Sequence, residues 1–180
     1  MIRPTIQEYF MSMADLVATR STCLRRSVGC VLVSVRGHVL STGYNGVARG
    51  QPHCNEVSTE VMSHYHEPEK QQRMGLSNMR KVQDVYYYDM HPYACSGASA
   101  ESGKDLDQCE AIHAEQNALL QCRDAYEIAY CYTTTFPCLT CVKLLLNTAC
   151  NQIIYREPYD QRAEQLWASA SGRYAILLKK

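Results

Sequence analysis

The stretch AIHAEQNALL, residues 111–120, places a histidine and a glutamate two positions apart at a predicted helix start. In mid-helix, side chains two positions apart point to nearly opposite sides and cannot meet. First-turn side chains, in contrast, lean toward the N-terminal end of the helix. His113 and Glu115 can therefore both reach an object that lies beyond the helix tip without touching each other.

The stretch FPCLTC, residues 136–141, supplies partners for His113. Cys138 and Cys141 are three positions apart, so on a helix they share one face. Pro137 precedes them and suits the first turn of that helix, whose positive dipole end stabilises thiolates. One imidazole and two thiolates suit zinc and leave a fourth tetrahedral position for water, as in catalytic zinc sites.

Glu115 then serves as a proton carrier, because zinc can lower the pKa of its water to about 7 and a nearby carboxylate can accept the proton. Neither motif alone is specific for this chemistry. A Cys-x-x-Cys pair can be a redox pair or half of a structural zinc site, and His-x-Glu occurs by chance. Found together at two predicted helix starts, the motifs indicate a catalytic zinc bound by His113, Cys138 and Cys141.

Outward from these motifs, the chain shows helical and strand patterns in the order α-β-β-α-β-α-β-α-β. The first helix begins near Pro4, and Met11, Met13 and Leu16 are part of its expected core stripe. Two β-rich runs joined by RGH form a hairpin-like pair, after which strands alternate with single helices. This pattern predicts an α/β fold with a central mixed sheet of about five strands flanked by helices.

Residues 1–180 are expected to form a single domain with a long insert at about 46–110. A loop of this length inside a compact domain is usually functional or held by local cross-links. The insert is polar, has no clear period and contains His53, Cys54, His64, His66, His91, Cys95 and Cys109.

The charge balance argues against binding of long nucleic acids. Lys+Arg and Asp+Glu both number 18, so the chain lacks the excess of cations on which phosphate-backbone binding rests. No apolar run is long enough to span a bilayer, and the N-terminus lacks the apolar core of a signal peptide. We therefore expect a cytoplasmic protein whose ten cysteines are metal ligands or buried thiols.

The motifs carry a family resemblance. HAE followed by PCLTC is similar to the His-x-Glu and Pro-Cys-x-x-Cys motifs of zinc-dependent nucleobase deaminases. The runs SVGCVLV, STGYNG, IHAEQNALL and FPCLTC further resemble the deoxycytidylate (dCMP) deaminase branch, which includes phage enzymes and bacterial late-competence deaminases. The resemblance extends from about Gln7 to Tyr159 and implies a cytidine-deaminase-like three-layer fold.

The resemblance implies hydrolysis of dCMP to dUMP and ammonia for the supply of dTMP. Water activated by zinc would attack C4 of cytosine while Glu115 carries protons. The backbone of Ala114 and the loop before Pro137 would hold the edge of the base. Asn45 in GYNG is a candidate for the sugar hydroxyl or a neighbouring nucleotide site, although Asn-Gly is also a common turn pair.

The 5′-phosphate of such a substrate needs local donors. The run CLRRSVG places Arg26 and Ser27, with Arg25 as a weaker candidate, just before the first strand. The alternative is an exposed basic turn. Tyr159 follows a predicted strand, where ligands collect in open α/β sheets, although it could equally be an ordinary packing residue.

A second, structural zinc is expected because some relatives in the branch carry one. Cys23 and Cys54 resemble its ligands by position, and Cys109 is a third candidate. Cys95, His53 or His91 would complete the set, and the alternative is unpaired thiols in a polar loop. The remaining cysteines in predicted strands and helices are expected to be buried thiols, namely Cys30, Cys122, Cys131 and Cys150.

Regulation and assembly follow from the resemblance alone. It implies a homohexamer that dCTP activates and dTTP inhibits, with Mg²⁺ accompanying the triphosphate. We expect the effector site near Tyr44, Asn45 and Gly46, formed with a neighbouring subunit, where backbone amides could approach phosphate. A phage-encoded protein of this kind would work in the host cytoplasm.

Two other functions compete with this one. A deaminase acting on RNA or single-stranded DNA would share the zinc chemistry, but the zero net charge argues against it. A zinc-containing nucleotide sensor without activity is the other alternative. Glu115 argues against a sensor, because a purely structural metal site has no use for a proton carrier.

Overall fold

The computed structural model describes residues 2–54, 79–82, 85–88, 95, 97 and 109–179. Within these ranges the predicted elements occur in the predicted order, and a short hairpin is added to them. The helices are α1 (Ile6–Ala18), α2 (Ala114–Gln121), α3 (Leu139–Leu146) and α4 (Gln161–Ser169). The strands are β1 (Gly29–Ser34), β2 (Val39–Tyr44), β3 (Met79–Val82), β4 (Val85–Tyr88), β5 (Ile128–Thr135), β6 (Gln152–Glu157) and β7 (Tyr174–Leu177).

Five strands form one mixed sheet in the order β2-β1-β5-β6-β7. β1 pairs antiparallel with both β2 and β5, whereas β5, β6 and β7 run parallel. The turn between β1 and β2 contains Gly37, whose φ of 77° is a conformation that suits glycine. The predicted α/β fold, with its hairpin-like pair and its parallel strand pairs, is confirmed.

One face of the sheet is covered by α1, which packs Phe10 and Met11 against Val31 and Val33 of β1. At Gly29 the helix lies so close to the strand that an added Cβ would collide with the helix backbone. Residues in β1 are buried without exception, because helices cover both faces of this strand.

The opposite face carries α2, α3 and α4, whose cluster includes Val142 and Trp167 packed with Leu32 of β1. Gly43 of β2 lies directly under α2, where a Cβ would collide with the backbone at Ala118. The close packing of α2 on β2 fixes the height at which this helix, which begins just after His113, sits above the sheet.

Helix boundaries differ from the predictions at several points. α1 begins after Thr5, whose hydroxyl accepts a hydrogen bond from the backbone N–H of Glu8, so Pro4 precedes the cap. α3 likewise begins after Cys138, which has extended backbone angles, so Pro137 lies before the cap and not in the first turn. The predicted second helix ends at Gln121, and a short 3₁₀ turn follows it.

The expected core stripe of α1 is only partly buried. Met11 is fully buried, but Leu16 is 71% exposed, because the helix presents the Phe10–Ala14 side to the sheet. Of the cysteines expected to be buried thiols, Cys30, Cys131 and Cys150 are buried, whereas Cys122 is half-buried beyond the last turn of α2.

Most of the predicted insert lies outside the described residues, including His64, His66 and His91. Its described part contains the antiparallel hairpin β3–β4, which the sequence did not predict. The organisation as one domain with an insert at about 46–110 therefore stays a prediction. In the described part of the chain, no helix has the length and apolarity needed to cross a membrane.

Candidate active site

Three predicted metal ligands converge above one end of the sheet. His113 is the N-cap of α2, Cys138 is the N-cap of α3, and Cys141 lies in the first turn of α3. Their ligand atoms all lie within 4.8 Å of one another. The Nδ1 atom of His113 is 3.4 Å from Sγ of Cys138 and 3.5 Å from Sγ of Cys141.

These distances fit a zinc ion. With Zn–S bonds of about 2.3 Å and a Zn–N bond of about 2.0 Å, tetrahedral geometry places nitrogen and sulfur roughly 3.6 Å apart. Two thiolates with one imidazole are also a donor set that selects zinc over harder metals. Gln116 steadies the ligand loop, because its Oε1 accepts a 2.9 Å hydrogen bond from the backbone N–H of His113.

The pKa values of Cys138 and Cys141 are shifted in opposite directions. Hydrogen bonds from Cys141 and from His113 lower the pKa of Cys138 to about 4, although burial opposes the shift. The hydrogen bond with Cys138 and burial raise the pKa of Cys141. The hydrogen bond to Cys138 also raises the pKa of His113. One thiolate is thus already stabilised at neutral pH before any cation is bound.

Glu115 lies in the first turn of α2 and is 3% exposed. Burial raises its pKa, which is the direction that suits a carboxyl group that takes up and returns a proton near neutral pH. The hydroxyl of Thr133 on β5 is 3.5 Å from Oε1 of Glu115 and donates a 2.9 Å bond to the carbonyl of Thr135. Thr133 was not predicted as a site residue, because its approach depends on how α2 sits over β5.

A cleft opens over His113, Glu115 and Cys138. Several residues predicted to bind substrate line it as well. The lining consists of Cys23, Arg25, Arg26, Val28, Asn45, Cys109, Ala111, His113, Ala114, Glu115, Thr135, Phe136, Cys138 and Tyr159.

Arg26 and Tyr159 meet on the wall of the cleft. The Arg26 guanidinium lies over the Tyr159 ring at 5.0 Å from its centroid, and its Nη1 is 3.8 Å from Oε2 of Glu157. Nη1 is buried and has no hydrogen-bond partner among the described residues. This arrangement places a guanidinium on the cleft wall, held between the Tyr159 ring and the Glu157 carboxylate.

Asn45 lines the cleft and also braces the turn that carries Arg26. Its Oδ1 accepts a 2.8 Å hydrogen bond from the backbone N–H of Val28, and its Nδ2 donates a 2.6 Å bond to the carbonyl of Arg26. The next residue, Gly46, exchanges two backbone hydrogen bonds with Ile112. Asn45 therefore connects the Arg26 turn to the segment that leads into His113.

Two predicted substrate residues do not line the cleft. Ser27 is exposed beside it, and Pro137 is buried between two residues that do line it. Thr135 and Phe136 line the cleft and belong to the segment before Pro137 that the sequence analysis expected to hold the edge of the base. Val28 is a cleft residue that the sequence did not indicate.

The four cysteines proposed for a second zinc lie together. Cys54 and Cys95 are buried, with Cys23 and Cys109 packed against them. A hydrogen bond with Cys109, followed by backbone amides of Arg26 and Arg25, lowers the pKa of Cys23 to about 5.

Burial raises the pKa of Cys54 to about 12. His53, another predicted candidate for this zinc, instead lines a second cleft.

That second cleft lies beside α2 and contains two of the predicted effector residues. It is lined by Tyr44, Gly46, Val47, Ala48, Arg49, Gly50, Gln51, His53, Asn117 and Gln121. Asn45, the third predicted effector residue, faces the first cleft.

Comparison with known proteins agrees with this site. The family model described as the cytidine and deoxycytidylate deaminase zinc-binding region matches residues 4–157. A deoxycytidylate deaminase of Mycobacterium phage D29 is 32% identical over 156 residues, which cover 86% of this chain and 97% of that protein. A deoxycytidylate deaminase of Schizosaccharomyces pombe is 35% identical over 161 residues, or 88% of this chain. The chain spans only 39% of the S. pombe protein's length.

A solved structure shares the fold. The dCMP deaminase from the cyanophage S-TIM5, in complex with dCMP and dUMP, superposes with a TM-score of 0.58 at 21% identity and with full coverage of both chains. The metal-ligand geometry, the buried glutamate and the family match agree with one another. The chain belongs to the cytidine and deoxycytidylate deaminase family.

Proposed function

We propose that the chain hydrolyses dCMP to dUMP and ammonia, as a deoxycytidylate deaminase. The observation that carries this proposal is the position of the buried Glu115 carboxyl beside the His113, Cys138 and Cys141 ligands, at the base of a cleft with Arg26 on its wall. The names of the relatives from phage D29 and S. pombe support it.

Zinc bound by His113, Cys138 and Cys141 would supply Lewis acidity that makes water a nucleophile at neutral pH. Glu115 takes a proton from the attacking water and delivers it to the ring nitrogen N3 of cytosine. The same carboxyl group then takes the second proton from the hydroxyl added at C4 and passes it to the amine, which leaves as ammonia while the C4 carbonyl forms. Its raised pKa suits both transfers, because the group must accept a proton and release it again in each of them.

The chain's other cleft residues bind and orient the nucleotide. Ala114 lies at the cleft beside Glu115, where its backbone can meet the edge of the base. Asn45 can offer its remaining amide hydrogen to the sugar. Arg26 offers its guanidinium, whose Nη1 has no hydrogen-bond partner among the described residues and lies 3.8 Å from Glu157 Oε2, to the 5′-phosphate. Ser27 and Pro137 keep supporting roles, since neither lines the cleft.

The test is deamination of dCMP followed by ultraviolet absorbance, with cytidine, CMP, dCTP and a short single-stranded DNA compared in parallel. Rapid turnover of dCMP with little turnover of the oligonucleotide supports the proposal. Turnover of the oligonucleotide alone would instead support a polynucleotide deaminase. Zinc binding without turnover of any substrate would support a nucleotide sensor.

We also propose a second, structural zinc at Cys23, Cys54, Cys95 and Cys109. The clustering of the four thiols supports it, as does the lowered pKa of Cys23, since metal ligands bind as thiolates. Elemental analysis tests the proposal. We expect about two zinc ions per chain in the unmodified protein and in the control Cys122→Ser, and about one in Cys54→Ser.

Regulation by dCTP and dTTP with Mg²⁺ is proposed for the second cleft, beside Tyr44 and Gly46. Arg49 gives this cleft a cation, and the bridge from Gly46 to Ile112 connects it to the segment before His113. We expect Mg·dCTP to raise and Mg·dTTP to lower the rate with dCMP. Arg49→Gln should weaken both responses, whereas Arg123→Gln, exposed and outside both clefts, should leave them unchanged.

Homohexameric assembly and a cytoplasmic location complete the proposal. Exposed apolar side chains on α1, among them Ile6, Tyr9 and Leu16, support self-association. All ten cysteines are free, which suits a reducing compartment. Light scattering after size-exclusion chromatography tests the assembly, because a monomer at micromolar concentration would exclude the hexamer.

A further inference from the structure

Glu157 has a fixed position at the rim of the first cleft. It is the last residue of β6, and in the parallel pairing of β5 with β6 it is the register partner of Thr135, which lines the cleft. Its backbone carbonyl accepts a 2.8 Å hydrogen bond from the N–H of Phe136, another lining residue. The backbone of Glu157 is therefore held against the segment that leads into the PCLTC motif.

The Glu157 carboxylate lies beside the guanidinium of Arg26. Its Oε2 atom is 3.8 Å from Nη1 of Arg26, a distance that suits an ion pair but is too long for a hydrogen bond. The Glu157 side chain is 68% exposed, whereas that of Arg26 is 33% exposed and lies 5.0 Å over the centroid of the Tyr159 ring. The aromatic ring thus holds the guanidinium on the cleft wall, and the carboxylate acts on it through charge.

A carboxylate in this position opposes the binding of anions to Arg26. A phosphate that accepts a hydrogen bond from the guanidinium would come to about 2.7–2.9 Å from it, which also brings the phosphate close to Glu157. Like charges repel, and the repulsion grows with the charge of the ligand. A nucleoside brings no charge, a monophosphate brings up to about two negative charges, and a triphosphate brings more.

The second cleft differs from the first in this respect. Among the described residues its lining includes the cation Arg49 but no carboxylate. The two clefts therefore differ in whether an acidic side chain lies next to the arginine that would meet a phosphate. A highly charged ligand is opposed at the first cleft and is not opposed in this way at the second.

We propose that Glu157 is a specificity-determining residue that limits the negative charge a ligand can bring to the first cleft, and that it thereby favours a nucleoside monophosphate over the triphosphate of the same nucleoside. The inference rests on the proposed function, in which Arg26 meets the phosphate of dCMP. It adds a residue that discriminates against dCTP as a substrate of the same site.

The first experiment lets dCMP and dCTP compete as substrates in one mixture with the zinc-loaded protein, and the products are separated by chromatography. Both substrates then meet the protein in the same effector-bound state, so the ratio of their initial rates reports the ratio of their kcat/KM values. Glu157→Gln keeps the shape of the side chain and removes its charge. It should raise the ratio of dCTP to dCMP about threefold to fivefold, the scale of a partly exposed charge pair, and Glu157→Lys should raise it further.

Ligand binding gives a second readout that does not depend on turnover. In calorimetry with the zinc-loaded protein, dUMP should bind Glu157→Gln about threefold more tightly than it binds the unmodified protein, whereas the affinity for deoxyuridine should not change. The gain for dUMP should shrink as salt rises, because salt screens partly exposed charges.

Glu127→Gln is the matched control. Glu127 is an exposed carboxylate outside both clefts, so its replacement removes the same charge and should leave the substrate ratio and the affinity for dUMP unchanged. Effects of Glu157→Gln no larger than those of Glu127→Gln would overturn the inference. Weaker binding of dUMP by Glu157→Gln would do so as well, because the carboxylate would then support the guanidinium and not compete with the phosphate. An unmodified protein that neither turns over dCMP nor favours dUMP over deoxyuridine would instead refute the proposed function itself.

Discussion

Replacing Glu115, the proposed proton carrier, should separate metal binding from turnover. Glu115→Gln keeps the shape of the side chain and should retain zinc, because the proposed ligands His113, Cys138 and Cys141 are unchanged. We expect kcat for dCMP to fall by about 10³-fold, the usual scale of general acid–base catalysis. Elemental analysis and the absorbance assay measure the two properties on the same sample.

Glu110→Gln is the matched control for this change. Glu110 is an exposed carboxylate close in sequence to the same motif, so its replacement removes the same charge without touching the cleft. Its kcat should remain within about twofold of the unmodified value. Loss of zinc from Glu115→Gln, or equal losses of activity in both variants, would show that Glu115 is not the proton carrier.

The cysteine pKa values lead to a second prediction at the residue scale. A thiolate reacts with iodoacetamide, so a thiol with a lowered pKa reacts at a lower pH. In metal-free protein at about pH 6, Cys23 and Cys138, whose pKa values lie at about 5 and about 4, should be labelled first. Cys109 and Cys141, whose pKa values are raised, should react only at higher pH.

Peptide mass spectrometry across a pH series measures this order of labelling. Zinc added before the reagent should protect Cys138, because a coordinated thiolate is a poorer nucleophile. Labelling of Cys138 and Cys141 in parallel, with midpoints near that of an ordinary thiol, would contradict the unequal charge distribution.

Single residues also show what the sequence can and cannot reveal. The spacing of the motifs was enough to predict that His113, Cys138 and Cys141 lie close together, because side chains at the start of a helix lean toward its N-terminal end. The brace from Asn45 to Arg26 was not predictable. It depends on the side of the sheet to which the residue after β2 turns, and this is decided by pairing with β1.

At the scale of secondary-structure elements, two glycines set the distance between helices and sheet. Gly43→Ala and Gly29→Ala each place a methyl group against a helix backbone, the first under α2 and the second under α1. Each should lower the free energy of unfolding by about 1–3 kcal/mol, the usual cost of overpacking. Chemical denaturation measures this loss.

Gly43→Ala and Gly29→Ala should differ in catalytic activity, although we expect similar losses of stability from both. Gly43 lies beneath the helix that carries Glu115, so Gly43→Ala should lower kcat of the folded fraction about tenfold, as small misplacements of catalytic groups do. Gly29→Ala acts on the opposite face and should leave kcat of the folded fraction nearly unchanged. Equal losses of kcat would mean that α2 is not positioned by this contact.

The order of elements was predictable from hydrophobic periodicity, but their packing was not. The pattern of α1 included Ile6, Tyr9 and Leu16 among its apolar positions, and the structure leaves all three exposed. Periodicity identifies a helix without showing which side of a broad apolar surface meets the sheet. Here the side is chosen by Gly29, which allows α1 to approach β1 through Ala14 and Ala18.

At the scale of the whole molecule, charge is local and not global. The chain has a formal net charge of zero, yet two arginines line one cleft. Such a distribution suits a ligand with one phosphate better than a polymer, whose binding draws on many separated cations. Substrate preference should therefore depend little on salt compared with that of a polynucleotide deaminase, whose affinity falls steeply as salt rises.

Metal removal should affect the two faces of the sheet differently: hydrogen exchange should accelerate on the face that carries the proposed ligands and stay unchanged on the other. The proposed catalytic zinc joins the first turns of α2 and α3 on one face, whereas α1 packs on the other face and supplies no ligand to this site. A bound metal stabilises only those conformations in which its site is intact. Chelation should therefore make local opening more frequent in the segments that contain the proposed ligands. Hydrogen exchange should therefore accelerate in residues 113–121 and 138–146.

The amides around Phe10, Met11 and Ala14 should keep their protection, since their core with Val31 and Val33 contains no proposed metal ligand. The comparison is made by mass spectrometry on zinc-loaded and chelated protein, with Cys54→Ser as a control for the second site. In that variant chelation should still accelerate hydrogen exchange in residues 113–121 and 138–146. A uniform rise in exchange over all elements would show instead that the zinc supports the whole fold, because α1 would then open together with the two helices that supply the proposed ligands.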